Sequence, residues 1–183
     1  MDVWNPRSGA FSHSLRFTSP PGTAIGATAS ARLNADSTLA VSASADWSVK
    51  LWNACSGAEI DTLPHRHIVR LARFSPEGDR VATAGREKLL RIYDVEVRGD
   101  PVSEFAVDID AAYGQYLGAN TILYGGSESG KVGVIDRRTG AAIATMDVEA
   151  GGVNDLRLQG NTLLVSAGKV VSFWDMDSYG CRF

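Results

Sequence analysis

The sequence predicts an all-β fold built from repeated four-stranded antiparallel units, and three observations predict it. Four stretches end alike: Val49-Lys50-Leu51-Trp52-Asn53, Leu90-Arg91-Ile92-Tyr93-Asp94, Val132-Gly133-Val134-Ile135-Asp136 and Val171-Ser172-Phe173-Trp174-Asp175. Their aromatic or apolar position recurs at 52, 93, 135 and 174, about forty residues apart. Before each ending lies a short run of small and apolar residues, and between run and ending lies a polar turn. A period near forty, with strands closing on a Trp-Asp type dipeptide, marks a WD-repeat β-propeller, in which each repeat folds as one blade.

The elements follow in chain order. Val3-Trp4-Asn5-Pro6-Arg7-Ser8-Gly9 repeats Leu51-Trp52-Asn53 through Gly57, so residues 1–15 read as the outer half of a blade, with Phe11 to Leu15 its last strand. Three whole blades then span about 25–63, 68–107 and 111–148, and a nearly whole one spans 152–183. Their second strands are Leu39-Ala40-Val41-Ser42-Ala43-Ser44, Val81-Ala82-Thr83-Ala84-Gly85, Ile122-Leu123-Tyr124-Gly125-Gly126 and Leu163-Leu164-Val165-Ser166-Ala167-Gly168. Small residues suit strands crowded by neighbouring blades, and a run without alternation suits a strand covered on both faces. After the third strand come turns with glycine, Cys55-Ser56-Gly57 and Arg138-Thr139-Gly140, and then an outer strand. Arg98-Gly99-Asp100-Pro101 reads as the corresponding turn of its own blade. The chain thus holds about four to five blades' worth of a ring. It opens inside one blade and stops as another outer strand is due, so an incomplete propeller is expected.

Composition agrees. In 183 residues, 44% hydrophobic content supports a real core and 19 glycines favour many short strands. A net charge of −3 gives no general attraction to nucleic acid or to an anionic membrane. Met1 to Pro6 lacks the basic start and apolar core of a signal peptide, and no apolar run is long enough for a membrane span. Cys55 and Cys181 stand at non-equivalent positions and predict no disulfide framework.

The candidate chemistry is structural. Ser42, Asp46 and Trp52 are spaced so that the indole N–H bonds the serine hydroxyl and Asp46 fixes the turn between strands. A histidine eighteen residues before the serine would complete a buried polar network. The next blade carries the set His65, Thr83, Glu87 and Tyr93, whereas the first has Ala24 at the histidine position. No repeat unites His, Ser and Asp, so no catalytic relay is expected. His65, His67 and Cys55 match no zinc spacing, and no metal, cofactor or small-molecule substrate is expected. Gly125-Gly126-Ser127-Glu128-Ser129-Gly130-Lys131 runs into a strand and not a helix, which makes it a turn and not a phosphate loop.

Charge gives the one candidate binding surface. Arg66, Arg70, Arg73, Arg80, Arg86, Lys88 and Arg91 stand against Glu77, Asp79 and Glu87, leaving about +4 there and about −7 elsewhere. In a propeller, the loop before a blade's first strand and the turn between its second and third strands open on the same face. Arg66 lies in the former, Arg86 and Lys88 in the latter, so the three are expected to form a cationic partner-binding rim.

One resemblance is sharper than the repeat. Leu63-Pro64-His65-Arg66-His67-Ile68-Val69-Arg70, then Ala84-Gly85-Arg86-Glu87-Lys88-Leu89-Leu90-Arg91-Ile92-Tyr93-Asp94, resembles the serine/threonine kinase receptor-associated protein family. That family carries a similar run, Lys-His-Ile-Val and then Gly-Gly-Gln-Asp-Lys-Leu-Leu-Arg-Ile-Tyr-Asp. Ile25-Gly26-Ala27-Thr28, with Ala45-Asp46 and Val49-Lys50-Leu51-Trp52, resembles its preceding blade, and Val165-Ser166-Ala167-Gly168-Lys169 resembles a later one more loosely. Departures are Glu87 in place of Asp, and Ser19-Pro20-Pro21 in place of a Gly-His type loop. The resemblance implies a seven-bladed ring and a non-enzymatic adaptor, cytoplasmic and nuclear. Its partners would be proteins of the survival-of-motor-neuron complex that assembles spliceosomal ribonucleoproteins, with RNA met only indirectly, through partners such as the RNA-binding protein Unr. In animals it also implies association with growth-factor receptor kinases. The alternative is the propeller subunit i of eukaryotic translation initiation factor three.

Overall fold

The computed structural model describes residues 2–4, 11–14, 27–148 and 151–181. Within them lie eighteen β-strands and no helix. An antiparallel pair comes first, β1 (Asp2–Trp4) with β2 (Phe11–Ser14). The first four-stranded sheet follows: β3 (Thr28–Leu33), β4 (Leu39–Ser44), β5 (Ser48–Asn53) and β6 (Glu59–Pro64). The second is β7 (Val69–Phe74), β8 (Arg80–Gly85), β9 (Leu89–Asp94) and β10 (Ser103–Ala106). The third is β11 (Ala111–Tyr116), β12 (Thr121–Gly126), β13 (Lys131–Asp136) and β14 (Ala142–Asp147). The fourth is β15 (Val153–Gln159), β16 (Thr162–Ala167), β17 (Val170–Asp175) and β18 (Gly180–Cys181). In every sheet each strand pairs antiparallel with the next, the meander of a WD blade. The positions of Ala24 and Ser19-Pro20-Pro21, Leu15 and residues 5–10 lie outside the described residues.

Burial explains the apolar runs. In β4, β8 and β12 five consecutive residues are buried, the pattern of a strand covered on both faces. The core is accordingly divided between consecutive sheets. Val41, Val49, Val69, Val81 and Tyr93 fill the space between the first and second. Leu71, Leu90, Ile92, Ile109, Ile122 and Ile135 fill the next, and Leu123, Val132, Met146, Leu163 and Val165 the last.

The Trp-Asp ending has a local cause. Asn53, Asp94, Asp136 and Asp175 each turn a side-chain oxygen onto backbone N–H groups two or three residues on, for example Glu96 at 2.8 Å and Val97 at 2.9 Å for Asp94. The side chain thereby builds the turn to the outer strand. The amides of Val97 and Glu96 hold the Asp94 carboxyl below its usual range. Each sheet's first strand also carries an irregularity near its start, at Thr28/Ser30, Val69/Leu71, Ala111/Tyr113 and Val153/Asp155. Such a bulge bends the strand and re-aims the extra residue.

Candidate interaction surface

In the first sheet the Trp52 indole N–H donates to Ser42 Oγ at 2.8 Å, deep in the core. Asp46 stands apart from that pair in its contacts: its Oδ1 accepts the Ser48 amide at 3.1 Å and the Ser48 hydroxyl at 2.7 Å, closing the turn between β4 and β5. Beside the second sheet, the carbonyl of Leu63, from β6 of the first, can only accept; it lies 3.0 Å from His65 Nδ1 and so fixes the proton there. His65 Nε2 then accepts the Thr83 hydroxyl at 2.9 Å. The Tyr93 ring lies against the imidazole, with centroids 5.9 Å apart. Burial holds His65 below its ordinary value and pushes the Tyr93 phenol up to about 12.

Glu87 holds the rim together. Its Oε1 accepts the backbone amides of Arg66 and His67, the latter at 3.1 Å, while its Oε2 meets Arg91 Nη2 at 2.5 Å. Arg91 also meets Glu104 through Nε at 2.5 Å. Burial pushes the Glu87 carboxyl up, but Arg91 and the Arg66 amide outweigh it, so Glu87 titrates below its usual range. The loop 65–68 is therefore fastened onto the turn between β8 and β9 by its two amides on the Glu87 carboxylate, which the Arg91 ion pair holds in place.

The cationic rim differs from its sequence reading. Arg66 and Lys88 are exposed, and neither forms an ion pair among the described residues. Arg86 is exposed too, but its Nη2 pairs with Glu128 at 2.8 Å and its Nε lies 3.9 Å from Asp110. Arg86 is thus a bridge to the third sheet and not a free member of the rim. Arg70, the bulged residue of β7, likewise reaches Asp110 at 3.2 Å and bonds the Ser127 hydroxyl. Arg80 pairs with Asp79 and Asp94. Four of the seven basic residues are thus paired, Arg70 and Arg86 with acids of the next repeat and Arg80 and Arg91 with acids of their own.

Sequence reasoning passed over the rim's aromatic member. Trp47 occupies in the first sheet the turn position that Lys88 occupies in the second. Both have positive φ, 70° and 56°. A tryptophan there is uncommon, since the left-handed region favours Gly, Asn and Asp. The residue is 52% exposed, and its ring lies beside His67 at a tilt of 39°, with centroids 6.1 Å apart. The legible signal was a large aromatic in a turn that calls for a small residue. Trp47, His67, Arg66 and Lys88 together make an aromatic and cationic surface on one rim.

Four-stranded antiparallel sheets in series, core packing between consecutive sheets, and turns built by Asp or Asn after each third strand define a WD-repeat β-propeller protein. The WD domain, G-beta repeat family model matches residues 22–53 and 57–94. This chain is a WD-repeat protein, and it resembles serine-threonine kinase receptor-associated protein. The protein of that name from Dictyostelium discoideum is 34% identical over 156 residues, covering 84% of this chain and 53% of the relative. The Gallus gallus protein is 32% identical over 157 residues, covering 81% of this chain and 43% of the relative. The Homo sapiens protein is 47% identical over 70 residues, 38% of this chain and 20% of the relative. Translation initiation factor 3 subunit I from Culex quinquefasciatus is less similar, 26% identical over 162 residues, covering 79% of this chain and 49% of the relative. The chain spans about half the length of the curated relatives it matches over most of its own length.

Proposed function

We propose that this chain is a non-catalytic scaffold that binds other proteins of a multiprotein complex, the one that assembles spliceosomal ribonucleoproteins for messenger-RNA processing, in cytoplasm and nucleus. Association with receptor kinases is a further role consistent with the name of its relatives. The observation that carries the binding role is the rim formed by Trp47, His67, Arg66 and Lys88, with its loop fastened by Glu87. Exposed aromatic and arginine side chains on a rigid support are the residues that dominate protein interfaces, and unpaired cations favour an acidic partner. RNA is met through the partner proteins. Affinity capture tests the reading. The parent chain is expected to retain proteins of the survival-of-motor-neuron complex. Trp47→Ala with Arg66→Glu and Lys88→Glu is expected to lose them while melting within a few degrees of the parent, since surface changes shift stability by about 0.5 kcal/mol. Unchanged capture would remove the rim from the interface. Retention of initiation-factor subunits instead would favour the second reading, subunit i of translation initiation factor three, which rests on the 26% match.

A further inference from the structure

The first strands of the four sheets lie side by side, β3 on β7, β7 on β11 and β11 on β15. Where they converge is a cleft of about 220 Å³, lined among others by Arg32 of β3, Arg73 of β7, Gln115 of β11, and Asp155 and Arg157 of β15. Three guanidinium groups from three different sheets face one space, on a surface separate from the Trp47 rim.

Their charges are poorly compensated. Arg73 is partly buried, yet among the described residues no carboxylate pairs with it. Its Nη1 donates to Ser30 Oγ at 2.8 Å and to the Ala72 carbonyl at 2.9 Å. Arg32 donates to the Ala31 carbonyl at 2.7 Å and has no carboxylate either. The lone acid of the cleft, Asp155, already accepts from Arg157 Nε at 3.1 Å. Burial, with Arg32 and Arg157 as like charges, pulls Arg73 down to about 10, and Asp155 opposes them only in part. A fold gains nothing by gathering cations in this way. Across the rest of the second sheet, arginines of the same chain find acids: Arg70, Arg80, Arg86 and Arg91 are all paired.

We propose that this cleft binds a small phosphate-bearing anion. Three arginines and one aspartate leave two positive charges, the complement of a phosphate dianion and twice that of a carboxylate. Guanidinium forks match phosphate oxygens in pairs. The volume holds several waters at about 30 Å³ each, which is room for a phosphate group or two.

Titration of the full chain with pyrophosphate and with inorganic phosphate, by calorimetry and by melting at fixed ionic strength, tests it. Saturable one-to-one binding, competed by phosphate and not by acetate, is expected, with a rise in melting temperature. Arg32→Gln and Arg157→Gln together are expected to weaken binding at least tenfold without lowering the melting temperature of the ligand-free chain, because they relieve repulsion on Arg73. Arg73→Gln is expected to abolish binding. That variant also loses the bond to Ser30, so the exposed pair decides the matter. Non-saturable heats that follow ionic strength alone, or parental affinity in the Arg32→Gln/Arg157→Gln chain, would overturn the proposal.

Discussion

Trp52 meets two demands with one side chain. Its ring fills the core, and its only polar atom finds the Ser42 hydroxyl, so nothing polar is left orphaned by burial. Trp52→Ala is expected to cost about 3–5 kcal/mol, the range of other large-to-small core changes. Trp52→Phe keeps most of the volume and loses the N–H, and is expected to cost about 1 kcal/mol beyond any repacking. Denaturant melts of both variants would check this, and an alanine variant that melts like the parent would refute it. His65 makes a prediction in pH. Burial holds the folded imidazole below its usual 6.5, so the unfolded chain binds a proton more readily than the folded one. Stability from this group is therefore full above about pH 6.5 and is lost as pH falls through the folded value. The melting temperature is expected to drop between about pH 7 and about pH 5.5, above the range where carboxylates titrate, and His65→Gln is expected to flatten that drop. A parental slope in the variant would place the cause elsewhere.

At the scale of the elements, the repeat keeps its positions and changes their occupants together. Ser42 faces Lys50 and Thr83 faces Arg91 across the strand pair, and the corresponding pair in the third sheet is Tyr124 and Gly133. A Cβ at Gly133 would come within 2.3 Å of the Tyr124 ring, so the large side chain at one position requires glycine at the other. In the fourth sheet Val165 stands where the serine stood, and the Trp174 indole instead donates to Ser172 on its own strand at 2.8 Å. The period, the apolar runs and the Asp-built turns were legible because they are local in sequence. The pairs Arg86–Glu128 and Arg70–Asp110 were not, because their partners arrive from the next repeat and depend on how neighbouring sheets meet. The rim was half legible for the same reason: loop adjacency follows from the blade pattern, and charge neutralisation follows from the neighbour. Glu87 offers the sharpest test at this scale. Glu87→Ala leaves the buried Arg91 with Glu104 alone and strips the Arg66 and His67 amides of their acceptor. It is expected to cost about 3 kcal/mol and to speed hydrogen exchange at those two amides, while the Trp52 and Ser42 region keeps its protection. Unchanged exchange at residues 66 and 67 would show that the loop is held by something else.

At the scale of the whole molecule, the sheets differ in how they are covered. In the first three, at least four consecutive residues of each second and third strand are buried. In the fourth, Leu164 and Val171 are 36% and 53% exposed, at positions whose counterparts in the first sheet, Val41 and Val49, are buried. Leu164 on β16 and Val171 on β17, with the half-buried Phe173 opposite Leu164, make an apolar face of the kind that draws protein association. The 183-residue polypeptide is therefore expected to self-associate through its fourth sheet, with an apparent mass in sedimentation that rises with concentration. Leu164→Lys with Val171→Glu places charge on that face at positions already open to solvent, so it is expected to restore a monomer without lowering the melting temperature. A parent chain that sediments as a monomer at every concentration, or a variant that associates as the parent does, would show that this face is not the one that associates.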